Sequence, residues 1–85
     1  MKTNMQYIFD EISQKNVDGG AWKDLDRAAL IDLIIAIGAR DRGVLIGAHI
    51  ADFLADTLLA SRTAERSEIR RLRARLSYEN CSVLS

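Results

Sequence analysis

The sequence predicts an all-α fold, a compact bundle of three to four helices around a central antiparallel helical hairpin. Apolar residues recur at helical spacing over much of the chain, alanine is plentiful, and proline, the strongest helix breaker, is absent. The apolar content of 48% is ordinary for a globular chain. At 85 residues we expect one domain, residues 1–85, with a thin core. From about residue 79 the chain is predicted to be a flexible tail.

The first helix is predicted to run from about Thr3 to Lys15. Four apolar residues share one helical face at spacings i, i+3, i+4 and i+7, namely Met5, Ile8, Phe9 and Ile12. A turn is predicted at residues 16–20, because Gly19 and Gly20 can adopt positive φ angles.

The second helix is predicted to begin near Trp22 or Asp24. Its wide apolar stripe comprises Leu25, Leu30, Leu33, Ile34 and Ile37. A break is expected at residues 38–43, where Asp41 would be the N-cap of the next helix. An alternative is a β-hairpin formed by residues 30–37 and 43–46, since short apolar runs are ambiguous by periodicity alone. The alanine content favours helices.

The third helix is predicted from about Arg42 to Ala60. Small residues recur there every four positions, at Gly43, Gly47, Ala51 and Ala55. Such a stripe lets two helix axes approach closely. It indicates either tight packing against the second helix, which we favour, or a self-association surface.

The fourth helix is predicted to be rich in arginine. Ser61 or Thr63 could cap it, or the third helix could continue through this region. Six of the twelve basic residues lie here without a lysine among them, at Arg62, Arg66, Arg70, Arg71, Arg73 and Arg75. The guanidinium group offers a planar fork of donors to phosphates or carboxylates. Four of these side chains should form a continuous ridge at helical spacing, namely Arg62, Arg66, Arg70 and Arg73. This segment is the predicted partner-binding surface.

Charge is distributed unevenly along a chain of zero net charge. From Arg62 onward six arginines face three glutamates, so the preceding part is net negative. An alternative contact surface is therefore acidic, comprising Asp10, Glu11, Asp52 and Asp56. Such a face could imitate nucleic acid and occupy a basic groove on a target protein. The arginines could otherwise pair with this acidic part, or form a dimer seam.

Catalytic and metal-binding patterns are scarce in the sequence. The chain has one histidine and one cysteine, and it has neither a phosphate-binding glycine loop nor zinc-ligand spacing. We therefore expect no enzyme activity, no cofactor and no metal. His49, Asp52 and Asp56 share a helical face that could hold a divalent cation, although a solvated face is the favoured interpretation. A helix-turn-helix around Gly38 is rejected, because its reading helix would begin with apolar residues.

A soluble cytoplasmic protein is predicted. No signal-peptide pattern and no apolar run of about 18 residues is present. A single cysteine is compatible with a reducing compartment.

Together these features predict a non-enzymatic protein that binds a macromolecular partner stoichiometrically, most readily another protein. A small, proline-free, helical chain of this type is similar to phage or mobile-element accessory proteins, including inhibitors of host defence such as anti-CRISPR proteins. The similarity is one of general character and rests on no motif. The alternative function is a small nucleic-acid-binding regulator that uses the arginine-rich helix as a homodimer.

Overall fold

A computed structural model describes residues 2–14 and 22–83, with side chains described as far as Ser77. This part of the chain contains four α-helices and no strand, so the all-α prediction is confirmed and the β-hairpin is wrong. The helices are α1 (Asn4–Gln14), α2 (Arg27–Arg42), α3 (Ala48–Ser61) and α4 (Arg66–Val83). The predicted turn at 16–20 lies outside the described residues.

Helix α1 starts with a reciprocal capping box. The hydroxyl of Thr3 accepts a hydrogen bond from the backbone N–H of Gln6 at 3.1 Å, and the side-chain oxygen of Gln6 accepts one from the N–H of Thr3 at 3.2 Å. The four apolar residues predicted to share one face are all fully buried, namely Met5, Ile8, Phe9 and Ile12. The sequence therefore predicted this helix closely.

Helix α2 begins later and ends later than predicted. Asp26 is the N-cap, and its carboxylate accepts a hydrogen bond from the N–H of Ala29 at 2.8 Å. The helix continues through Gly38 to Arg42 and is capped by Gly43, whose φ of 64° is in the left-handed region that favours glycine. A Cβ on Gly38 would lie 2.7 Å from Cγ1 of Ile46. Gly38 thus permits close packing instead of a turn, and the predicted break with Asp41 as N-cap is wrong.

Helix α3 begins at Ala48, with Gly47 as its N-cap. Gly43 and Gly47 therefore lie in the connection between α2 and α3. The continuous helical stripe predicted from Gly43, Gly47, Ala51 and Ala55 does not form, because its first two members precede the helix. Ala51 and Ala55 are fully buried in the core of this chain.

The four helices are arranged as two antiparallel pairs. Arg27, at the start of α2, reaches Asp52 and Asp56 in α3, so α2 and α3 form the predicted hairpin. Helix α1 packs mainly against α4, where Asp10 meets Arg73. Helix α4 extends to Val83, through part of the predicted tail. The core lies between the pairs and is mostly aliphatic.

Candidate functional site

Helix α4 has one buried edge and one broad exposed face. Leu72 and Leu76 are 7% and 0% exposed, and Ile69 packs partly against the same core. Successive residues of an α-helix are separated by about 100° around the axis. The side of α4 opposite this apolar edge therefore points to solvent, and most of the predicted arginine cluster lies there.

Arg73 is turned away from that exposed face and forms an ion pair within the fold. Its Nε and one terminal nitrogen donate to the two carboxylate oxygens of Asp10, each at 2.9 Å. Asp10 is only 5% exposed and also lies 3.0 Å from the ammonium group of Lys2. Burial raises the pKa of Asp10, but hydrogen bonds from Arg73 and Lys2 outweigh that effect and leave the pKa below its usual value.

Arg62 also serves the fold, because it lies in the turn between α3 and α4. A terminal nitrogen donates to the backbone carbonyls of Trp22, at 2.6 Å, and Leu25. The guanidinium carbon lies 5.4 Å from the centre of the Trp22 ring. Arg62 therefore joins the end of α3 to the segment before α2. The predicted ridge is interrupted, since Arg62 lies outside α4 and Arg73 points to Asp10.

Four arginines remain on the exposed side of α4, and we refer to them as the arginine face. They are Arg66, Arg70, Arg71 and Arg75. Among the described residues, no carboxylate lies within ion-pair distance of any of them. Arg75 leans toward α3, where its guanidinium carbon lies 5.6 Å from the centre of the Phe53 ring. The structure therefore brings together four of the six predicted arginines.

Arginines elsewhere in the described chain have polar partners. Arg27 donates to Asp52 at 2.6 Å and to Asp56, and these hydrogen bonds raise the pKa of Arg27. Arg40 donates to Asp41 at 2.9 Å, which raises the pKa of Arg40. Arg42 donates to the side chain of Asn4 at 2.9 Å and lies over the Tyr7 ring. The lack of a carboxylate partner among the described residues thus sets the arginine face apart from the other arginines.

The acidic residues of the predicted acidic face make different contacts in the fold. Asp10 is buried against Arg73, and Asp52 and Asp56 share the positive charge of Arg27. The hydrogen bond from Arg27 also lowers the pKa of Asp56. Glu11 is partly exposed on α1. Much of this negative charge is therefore offset by arginines of the same chain.

Two other features of the described chain have some character of a binding site. His49 is exposed near Asp52, and the described part of the chain contains no group of three or more residues placed to hold a metal ion. A pocket of about 180 Å³ is lined by Ser13, Gln14, Trp22, Lys23, Ser61 and Ile69. The indole N–H of Trp22 and the Nε of Arg62 are buried without a hydrogen-bond partner among the described residues. Both hydroxyls in the lining donate to backbone carbonyls of their own helices, so they are not directed at a ligand.

Sequence reasoning missed two features that bear on the surface. Leu45 is 86% exposed and lies in the connection between α2 and α3, outside the helix predicted to contain it. Ser67 and Ala74 lie in the middle of the arginine face and are exposed. A helical projection of α4 alone would have shown them between the arginines, because the apolar edge fixes the orientation of this helix.

Comparison with protein-family models, curated proteins and solved structures finds no match. Among the described helices, none combines the length and the apolar character that crossing a membrane requires.

Proposed function

We propose that this chain is a non-enzymatic nucleic-acid-binding protein whose arginine face binds backbone phosphates. The observation that carries the proposal is the cluster of four exposed arginines on α4 without a carboxylate partner among the described residues. Phosphates are good ligands for such a surface, because each guanidinium can donate two parallel hydrogen bonds to phosphate oxygens. Release of condensed counterions adds a favourable term that does not depend on base sequence.

The arrangement of charge within α4 supports a binding role over a purely solvated face. Arg66 and Arg70, and likewise Arg71 and Arg75, are like charges at i and i+4 on one helix. Each such pair destabilises an isolated helix by about 0.2–0.5 kcal/mol. Glu65 precedes both pairs and Glu68 lies between Arg66 and Arg70, yet neither carboxylate lies within ion-pair distance of the arginine face. A bound polyanion would remove this repulsion.

An acidic protein surface is the nearest competing partner for the same arginines. The hypothesis of a phage or mobile-element inhibitor stays a prediction, as does the homodimer. The acidic residues that an inhibitor would use to imitate nucleic acid mostly make contacts inside this fold, so the geometry favours the arginine face. Nucleic acid is therefore the partner to test first.

A titration with a fluorescently labelled nucleic acid at two salt concentrations tests this proposal. Four phosphate contacts predict a salt slope of about −3.6, so affinity should fall on the order of a hundredfold between about 50 and about 200 mM salt. Replacing two arginines of the face, Arg66→Gln with Arg70→Gln, should reduce that slope by about two units.

The matched control is the double variant Arg40→Gln with Arg42→Gln, which removes two arginines of α2 that have polar partners. Both double variants lose the same charge, so a general electrostatic effect would weaken them equally. A selective loss in the α4 variant supports the proposal. Equal losses, or no binding by the unmodified chain at low salt, would refute it.

A further inference from the structure

We infer that the arginine face docks in the major groove of B-form duplex DNA and contacts the phosphates of both strands without reading the base sequence. This inference rests on the proposed function and specifies its partner. It depends on how the four arginines are distributed around α4 and on the residues that lie between them.

The arginine face consists of two rows on opposite sides of the exposed surface. Arg66 and Arg70 form one row, on the side where the neighbouring Arg73 contacts α1. Arg71 and Arg75 form the other, on the side where Arg75 contacts Phe53 of α3. Each arginine of the first row is five positions from one in the second. The two rows are therefore separated by about 140° around the helix axis.

The surface between the two rows is formed by small side chains. Ser67 and Ala74 are exposed there, at the position farthest from the core. A helix about 10–12 Å in diameter fits the major groove of B-DNA, which is about 12 Å wide. Small residues at the outermost position let the helix approach the groove floor, while the two arginine rows face the two phosphate backbones. Ser67 and Ala74 lie on the side of α4 opposite the buried Leu72 and Leu76, which pack against the rest of the bundle.

The dimensions of the face also match a short stretch of duplex. From Arg66 to Arg75 the helix axis rises by about 13 Å, which corresponds to roughly four base pairs at 3.4 Å each. The same geometry explains why DNA binding should not depend on the base sequence. Arginines directed at the groove walls contact phosphates, and phosphate contacts position a protein without carrying base information. Ser67 and Ala74 provide little discrimination between bases.

Other nucleic acids fit this surface less well. Double-stranded RNA is A-form, and its major groove is too deep and narrow for side chains to read. Single strands are usually held by aromatic side chains that stack on the bases, whereas residues 66–77 contain no aromatic residue and Phe53, beside the second row, lies against Arg75. Duplex DNA is therefore the partner whose shape and charge complement the arginine face.

The test compares three labelled ligands of equal length with the full chain at low salt, namely duplex DNA, duplex RNA and single-stranded DNA. We expect duplex DNA to bind on the order of tenfold more tightly than either of the others. A ligand whose phosphates contact only one arginine row releases fewer counterions and so binds more weakly. Unrelated duplex sequences should bind with similar affinity. Methyl green, which occupies the major groove, should compete, whereas netropsin in the minor groove should not.

Two variants that each replace an exposed alanine by phenylalanine test whether α4 enters the groove. Ala74→Phe should weaken duplex binding on the order of tenfold by holding the helix away from the groove floor, while single-strand binding should not fall. Ala60→Phe places the same side chain at an exposed position of α3 and should change neither duplex binding nor single-strand binding. Circular dichroism should show that both variants are folded.

The outcomes separate the two proposals. Tighter binding to RNA or single strands, competition by netropsin alone, or equal effects of the two phenylalanine variants would overturn the groove assignment and leave phosphate binding intact. Failure to bind any of the three ligands at low salt would overturn the proposed function itself.

Discussion

Arg62 and Arg66 lie four positions apart and look equivalent in the sequence, yet the fold uses them in opposite ways. Arg62 lies over Trp22 and donates to two backbone carbonyls, whereas Arg66 is exposed without a carboxylate partner among the described residues. The same contrast separates Arg73 from Arg70 on a single helix. Arginine density alone therefore does not define a binding surface. The tertiary partners decide which side chains stabilise the fold and which remain available.

The largest effect should come from replacing Arg62. We expect Arg62→Ala to lower the free energy of unfolding by about 2–3 kcal/mol, because it removes charge-assisted hydrogen bonds and the stacking on Trp22. Arg66→Ala is the matched comparison and should leave the urea midpoint nearly unchanged. Trp22 is the only tryptophan, so its fluorescence reports both transitions. Equal midpoints for the two variants would contradict the division between these arginines.

A smaller and pH-dependent effect should come from the Asp10–Arg73 pair. Because the pKa of Asp10 is lower in the folded chain than its ordinary value of about 3.9, the pair stabilises the fold above that pH. The stabilisation is lost as the pH falls through the lowered folded pKa. We expect Asp10→Asn to cost about 1–2 kcal/mol near neutral pH, since Arg73 keeps only a neutral acceptor.

Urea unfolding of both proteins between about pH 7 and about pH 2 measures this effect. The difference between the unmodified chain and Asp10→Asn should shrink toward acid pH. A replacement at an exposed acid that has no ion pair among the described residues, Asp24→Asn, is the control and should show no such trend. A difference that stays constant with pH would mean that Asp10 contributes by packing, without an ionic interaction.

The sequence predicted the helices better than it predicted the connections between them. The periodic apolar residues of α1 form its buried face, and Thr3 and Gln6 cap it as their spacing allows. The break placed at residues 38–43 was wrong because Gly38 serves close packing against Ile46. A glycine that permits contact and a glycine that permits a turn look the same in one sequence. Only the tertiary neighbour distinguishes them.

The candidate site was predicted in part for a similar reason. Helical spacing correctly places Arg66 and Arg70 together, because both lie within α4. It fails for Arg62, since the chain turns between α3 and α4 and the helical register does not continue. It also fails for Arg73, whose partner Asp10 is 63 positions away in the sequence. Local patterns contain no information about such a contact.

The division of the arginines can be measured most directly by nuclear magnetic resonance of their side chains. A proton–nitrogen correlation spectrum resolves the Nε–H signals, and single Arg→Lys variants assign them. When duplex DNA is added, we predict that the signals of the arginine face, Arg66, Arg70, Arg71 and Arg75, shift and sharpen. The signals of Arg27, Arg62 and Arg73 should keep their positions. Uniform shifts in all of them, or shifts confined to Arg40 and Arg42, would contradict the account.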